Sequence, residues 1–180
     1  MTRVQPIRDR ELLQRMKEFL KEKNQRDFIL FLIGIHTGLR ISDILKLKVA
    51  DVQGWNIILN EQKTKKYNEI KMTKELKREM RGFIGDKNKN EYLIKSRKGK
   101  SQPITPKRAY EILRELAEEF GLERIGTHSL RKTFGYQHYK KFKDIAKLQA
   151  ALNHDNPSVT LIYIGIAQDE LNDLQGKIDW

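Results

Sequence analysis

The chain has 180 residues, enough for one domain with a substantial core. Lysine and arginine outnumber aspartate and glutamate by 36 to 24, and the resulting net charge of +12 indicates a polyanionic partner, above all nucleic acid. The absence of cysteine excludes disulfides, thiolate metal sites and cysteine nucleophiles, and no apolar run reaches the roughly 18 residues of a membrane span.

The histidines do not have the spacing of a metal site. His36, His128, His138 and His154 lie far apart, and no compact carboxylate cluster accompanies them. The N-terminus is charged within a few residues and lacks the apolar stretch of a secretory signal. We therefore expect no metal and a cytoplasmic protein.

The first third of the chain predicts helices that meet at an arginine. Asp9 should cap a surface helix that runs to about Lys23, and the apolar segment after Asn24 predicts a central buried helix ended by Gly38. A further helix, with Ser42 as its expected N-cap, starts beside Arg40.

An arginine between core helices needs a partner or a cleft, because a buried unpaired charge is costly. Asp43 offers two interpretations. It could form a purely structural tie with Arg40, or it could orient Arg40 towards a ligand.

The segment WNIILN-EQKTKKY-NEIKM predicts a β-hairpin with a basic tip. Lys63, Lys65 and Lys66 crowd that tip. Such a run is usually a solvated loop, but a basic hairpin can also deliver a lysine to a bound phosphodiester.

Two more helix starts follow, at Thr73 and at the Thr105-Pro106 pair, with EYLIKS expected as a short strand between them. Lys107 and Arg108 occupy the first turn of the second helix. Cations there oppose the helix dipole, so they favour a nearby anion.

The segment from Thr127 to Tyr139 predicts an anion site. With Thr127 as the expected N-cap, His128 and Arg131 lie on one helical face and can converge with free backbone N–H groups on a phosphate. The simpler alternative is a solvated arginine beside a partly packed histidine.

Three further helices complete the predicted fold. One ends at His154, the next starts at Pro157 and carries Tyr163, and the last is a polar helix with Leu171, Leu174 and Ile178 on one stripe. The pattern predicts an α+β fold, mostly helical with a small antiparallel sheet.

Three motifs together resemble the catalytic domain of the tyrosine recombinases, the phage integrase family. TGLRISD is similar to the family's first arginine box, HSLRKTF to its His-x-x-Arg box, and LNHDNPSVTLIY to the stretch that ends in the nucleophile. The resemblance runs from about Ile7 to Tyr163 or beyond. It implies a site-specific DNA recombinase that cuts and rejoins DNA through a 3′-phosphotyrosine, without metal or ATP.

The resemblance also implies roles for individual residues. Arg40 and Arg131 would clamp the phosphate beside His128 and His154, and Tyr163 would be the nucleophile. Lys63 aligns best with the lysine general acid, although Lys65 or Lys66 could reach the same place and the turn lacks the glycine of many relatives. Asp43, which replaces the more usual glutamate, would support Arg40. Contacts to DNA are expected from Lys65, Lys66, Lys107 and Arg108.

These residue types suit phosphodiester attack on physical grounds as well. Guanidinium groups match the planar oxygens of a charged phosphorane and stay ionised. Tyrosine, with a pKa near 10, needs a neighbouring base or cation at neutral pH, and His128 is our candidate base.

Two rival functions share part of this pattern: relaxation of DNA in the manner of a type IB topoisomerase, and a DNA-binding accessory module that does not cleave. The family also implies a homotetramer on double-stranded DNA, often a monomer without it. We predict that residues 1–180 form one catalytic domain without a separate N-terminal core-binding domain, as a minimal recombinase or as a piece of a longer integrase. A C-terminal helix over about 168–180 would serve protomer exchange or fold back on its own core.

Overall fold

The computed structural model describes residues 4–60, 67–98 and 101–177. Its described part is mostly helical, with one small sheet. The helices are α1 (Arg10–Lys23), α2 (Gln25–Thr37), α3 (Ile41–Ile44), α4 (Lys74–Ile84), α5 (Pro106–Glu119), α6 (Thr127–Phe142), α7 (Ile145–Ala151), α8 (Pro157–Ile164) and α9 (Ile166–Gln175), and the strands are β1 (Asn56–Asn60) and β2 (Tyr67–Lys71).

Helix α2 lies at the centre because it is apolar on almost every side. Asn24 ends α1 and caps α2, its side chain accepting the backbone N–H groups of Arg26 and Asp27. Gly38, with a φ of +67°, ends α2 in a left-handed conformation that favours glycine. Helices α1, α4 and α6 pack around α2, which confirms the predicted central helix.

A second, smaller core joins α6 to the last helices of the chain. Its buried members are Tyr136, Leu148, Leu152, Ile164 and Ile166. They hold α6, α7 and α8 together, so the predicted nucleophile helix has its own packing, distinct from the main core around α2.

The predicted hairpin is confirmed in its two strands. β1 and β2 pair antiparallel, with Asn56 opposite Lys71 and Ile57 opposite Ile70. The lysines expected at the tip, Lys63, Lys65 and Lys66, lie outside the described residues. The α+β fold class is confirmed.

Two predicted elements differ from the structure. EYLIKS is not a strand: it makes only isolated bridges, Lys48 with Tyr92 and Lys95 with Pro103, because each end meets a different loop. The helix expected to end at His154 is also interrupted. Lys143 adopts a φ of +55°, Asp144 caps α7 anew, and α7 ends at Ala151.

Two expected helix caps are also wrong. Ser42 is the second residue of α3, and Arg40 occupies the N-cap position without a side-chain cap bond. Thr127 is the first residue of α6, and Gly126 is its N-cap. The Gly126 N–H donates to Ser129 Oγ at 3.2 Å, so a side chain one turn later performs the capping. Within the described ranges, no helix combines the length and apolar character that crossing a membrane requires.

Candidate active site

Arg131 is fixed at the bottom of the site by two backbone carbonyls. The residue is only 5% exposed. Its guanidinium donates Nη1–H to the Gly38 carbonyl at the end of α2 and Nη2–H to the Leu152 carbonyl after α7. Because both acceptors are neutral, these bonds orient the guanidinium and do not neutralise its charge.

Close packing between α2 and α6 brings the two arginine boxes together. A Cβ added at Gly34 would lie 2.5 Å from Leu130 Cδ1, and one at Gly38 would collide with the Phe134 ring. The glycines therefore let α2 approach α6 closely. Arg131 on α6 donates to the carbonyl of Gly38, which lies two residues before Arg40.

Arg40 is half-buried at the start of α3. Its carbonyl accepts the backbone N–H of Asp43 at 2.9 Å, and Asp43 is only 2% exposed. The backbone bond places Asp43 directly beside Arg40. That the Asp43 carboxylate orients the Arg40 guanidinium remains a prediction.

His154 lies in the turn between α7 and α8, where its neighbours fix its orientation. Its Nδ1 is 3.1 Å from Thr160 Oγ1, and its carbonyl accepts a bond from Gln149 Nε2. The Thr160 hydroxyl donates to the Asn156 carbonyl at 3.3 Å, so its oxygen is an acceptor for His154 Nδ1–H. This network assigns the proton to Nδ1 and makes Nε2 the nitrogen that can face a phosphate.

Tyr163 lies on α8, and its ring contacts the ring of His154. The two rings meet edge to face, with centroids 4.9 Å apart and planes at 81°. The Tyr163 hydroxyl is buried, and the Arg131 guanidinium lies near enough to act on its ionisation.

Burial and charge act in opposite directions on Tyr163. Burial raises its pKa above the ordinary tyrosine value, while Arg131 and Arg40 lower it by stabilising the phenolate. Burial has the larger effect. The resting side chain is therefore a neutral phenol that needs a base for attack.

Both histidines of the site are held neutral. Partial burial is the main reason for the lowered pKa of His128, and Arg131, Lys132 and Arg40 lower it further. Burial followed by Arg131 and Arg40 lowers the pKa of His154, against a smaller opposing effect of Asp155. A neutral imidazole can accept a proton at pH 7.

The structure thus brings five of the predicted residues together, since two arginines act on the pKa values of two histidines and a tyrosine: Arg40, Arg131, His128, His154 and Tyr163. Lys63 and its neighbours on the hairpin lie outside the described residues. His36 contacts Thr73 Oγ1 through Nδ1 and Glu75 through Nε2.

The two residues of α5 that we predicted to contact DNA differ in their surroundings: Lys107 is exposed, whereas Arg108 is paired with carboxylates. Lys107 is exposed in the first turn. Arg108 forms ion pairs with Glu111 at 3.2 Å and with Glu115 at 2.8 Å on its own helix. Those carboxylates supply the anion that we expected near this helix start, so the positions alone do not require DNA.

Sequence reasoning missed Lys132, which is only 5% exposed and lies 5.1 Å from the centroid of the Tyr163 ring. Its Nζ donates to the Val4 carbonyl at 2.9 Å. In the sequence it follows Arg131 and resembles one more solvated cation. Only its position opposite both the N-terminal segment and α8 distinguishes it.

Comparison with protein families gives a match to the phage integrase family over residues 7–170. The probable integrase/recombinase YoeC of Bacillus subtilis is 52% identical over 167 residues, which cover 92% of each chain. The tyrosine recombinase XerA of Thermococcus kodakarensis is 26% identical over 93% of this chain and 61% of its own length. This chain thus spans nearly all of one relative and about three fifths of the other.

Solved structures show the same fold. A crystal structure of XerA recombinase superposes with a TM-score of 0.77 at 20% identity, over 98% of this chain and 67% of that one. A XerH site-specific recombinase bound to palindromic difH substrate gives a TM-score of 0.73 at 22% identity, over 98% of this chain and 54% of that one. The family match and the curated relatives show what the chain is: a tyrosine recombinase of the phage integrase family.

Proposed function

We propose that this recombinase cuts and rejoins double-stranded DNA at specific sites, with Tyr163 as the nucleophile. The observation that carries the proposal is the buried Tyr163 hydroxyl, which lies beside His154 under the influence of two guanidinium groups. The same two guanidinium groups, of Arg131 and Arg40, could bind a phosphate next to the Tyr163 hydroxyl.

Arg131 and Arg40 would bind the non-bridging oxygens of the scissile phosphate. Arg131 supports this role because two carbonyls already hold its guanidinium, so little reorganisation is needed when charge develops in the transition state. His154 would donate from Nε2 once protonated, since Nδ1 contacts Thr160.

In the chemical step, phosphorus exchanges its bond to the 5′ oxygen for a bond to the Tyr163 oxygen and keeps its bond to the 3′ oxygen. The Tyr163 oxygen attacks phosphorus, and its proton passes to His128, which the low pKa keeps neutral. The bond from phosphorus to the 5′ oxygen breaks, and that oxygen takes a proton from Lys63. Lys63 comes from the sequence resemblance alone.

The product is a 3′-phosphotyrosine and a free 5′ hydroxyl. The covalent intermediate keeps the bond energy of the cut strand, so a 5′ hydroxyl from either partner DNA can reverse the step and rejoin it. We infer that neither ATP nor a metal ion is required.

The finer features of the assembly are part of the proposal. A net charge of +12 supports a DNA partner, with Lys65, Lys66, Lys107 and Arg108 as candidate contacts. We infer a cytoplasmic enzyme because its proposed substrate is DNA. We further infer a homotetramer on DNA. Exposed Leu171 and Leu174 on α9 support exchange of this helix between protomers.

We also propose that residues 1–180 act as one catalytic domain. YoeC supports this, since the match covers 92% of its length. Activity of the chain by itself in the following experiment is the direct test.

The test uses suicide DNA substrates nicked near candidate sites, in EDTA and without ATP. We expect a protein–DNA adduct that survives denaturation with the wild type and disappears with Tyr163→Phe, while both proteins bind the DNA equally. An adduct that persists in Tyr163→Phe would make another tyrosine the nucleophile. DNA binding without any adduct would favour an accessory module.

A further inference from the structure

Lys132 is a buried lysine whose position is fixed on both sides. It is only 5% exposed, between Arg131 and Thr133 on α6. Burying an ammonium group is costly unless polar partners replace water. Its Nζ donates to the Val4 carbonyl at 2.9 Å, so one partner belongs to the N-terminal segment.

That carbonyl is itself held in place. The segment Val4–Arg8 lies along α6: the Ile7 N–H donates to Thr133 Oγ1 at 2.8 Å, and Gln137 Nε2 donates to the Arg8 carbonyl at 2.8 Å. The Gln5 N–H donates to the Arg124 carbonyl at 2.8 Å. The Val4 carbonyl is therefore a rigid anchor for the lysine.

The other side of Lys132 faces the nucleophile. Nζ lies 5.1 Å from the centroid of the Tyr163 ring, within the range of a cation–π contact. The His154 ring meets the same tyrosine at 81°. Two neighbours thus restrict the ring, one as a cation and one by an edge-to-face contact.

The charges around Tyr163 determine what a further cation can do. Arg131 and Arg40 lower the pKa of Tyr163 against the effect of burial, His154 lies against the ring, and Asp155 acts on His154 from the rim. Phenolate charge spreads into the aromatic ring, so a cation near the ring favours phenolate over phenol more than a neutral side chain does.

We propose that Lys132 is a positioning residue for the nucleophile: anchored on the Val4 carbonyl, its ammonium holds the Tyr163 ring for attack and stabilises the charge that the ring acquires. The inference rests on the proposed role of Tyr163. It also makes the N-terminal segment a support of the active site.

Two variants separate charge from packing. Lys132→Met keeps a long unbranched chain and removes the cation, whereas Lys132→Arg keeps the cation. The control is Lys140→Met on the same helix, since the exposed Lys140 lies 5.8 Å from the centroid of the Tyr136 ring. It removes an equivalent contact away from the nucleophile.

The first measurement is the rate of adduct formation on a nicked suicide substrate at saturating DNA, from pH 6 to pH 9. We expect Lys132→Met to be about tenfold slower at pH 7, with a deficit that shrinks as the pH rises, since a desolvated cation–π contact contributes roughly that factor. Lys132→Arg should recover most of the rate, and Lys140→Met should match the wild type.

The second measurement needs no DNA. The phenolate absorbance of each protein, minus that of the same protein with Tyr163→Phe, follows ionisation of Tyr163 alone. Loss of the Lys132 cation should move that titration to higher pH. If the wild type formed no adduct, the recombinase proposal would fail, and this titration would still decide whether Lys132 acts on Tyr163.

Either of two results overturns the inference. One is a Lys132→Met protein with the wild-type rate, pH profile and tyrosine titration. The other is an equal loss of rate in Lys132→Met and Lys132→Arg at every pH, with a lower urea midpoint and an unchanged tyrosine titration, which would make Lys132 a packing residue only.

Discussion

Adding one methyl group at Gly135 should slow DNA cleavage far more than it weakens DNA binding. Gly135 lies on α6 where this helix faces α8, the helix that carries Tyr163. A Cβ there would lie 2.6 Å from Ile164 Cγ2 and 3.4 Å from Leu152 Cδ1. The substitution therefore acts on the distance between the phosphate site and the nucleophile.

The magnitude follows from these distances. Carbon atoms pack best at about 3.5–4.0 Å, so Ile164 must retreat by about 1 Å. Ile164 is fully buried and follows Tyr163 directly, so α8 has to move with it. Overpacking costs about 1–3 kcal/mol and the better helix propensity of alanine returns about 1 kcal/mol, which leaves a net loss of roughly 0–2 kcal/mol in the free energy of unfolding.

The effect on catalysis should be larger than the effect on stability. A displacement of about 1 Å between reacting groups costs on the order of 100-fold in rate. The assay is the single-turnover rate of adduct formation on the nicked substrate, with DNA affinity measured by fluorescence anisotropy and the free energy of unfolding measured in urea.

Gly82→Ala is the matched control. Gly82 lies on α4 with nothing within 4 Å of the added Cβ, so alanine should stabilise the fold by about 0.5–1 kcal/mol and leave cleavage unchanged. If the folded Gly135→Ala protein cleaved within twofold of the wild-type rate, the claim that this contact sets the position of Tyr163 would be wrong.

Two further predictions concern the histidines. Burial lowers the pKa of His128 and His154, so the unfolded chain binds protons more readily; the free energy of unfolding should fall as pH drops below about 6.5, measured in urea at pH 7.5 and 5.5. A stability that is equal at both values would contradict these shifts. Thr160→Val removes the Nδ1 partner of His154 and should slow cleavage about fivefold without changing DNA affinity, whereas an unchanged rate would show that this bond does not orient the imidazole.

The helices followed from local signals wherever the cap residues were unambiguous. Asp9, Thr73 and the Thr105-Pro106 pair each gave a start that the structure confirms, because a side-chain oxygen satisfies free backbone N–H groups nearby in sequence. The strand predicted for EYLIKS is absent because its residues favour β structure but form bridges with two separate loops. A bridge to a distant loop leaves no pattern in the segment itself.

The composition of the site was visible in the sequence, because arginine, histidine and tyrosine are the residue types that phosphodiester attack requires. Their order and spacing supported the family resemblance that the comparisons confirm. The same reasoning could not detect Lys132: its neighbours Val4 and Tyr163 are far away along the chain, and only folding shows that this lysine is buried.

The sequence by itself determined the fold class, the family and which side chains carry reactive groups, since these depend on residue type and short spacing. The tertiary structure decided how the groups act on one another. Arg131 is oriented by carbonyls of two distant loops, the pKa of Tyr163 is set by burial, and Gly34, Gly38 and Gly135 set the helix distances that bring the site together. Desolvation, charge proximity and close packing are properties of groups in contact, so they exist only once the chain has folded.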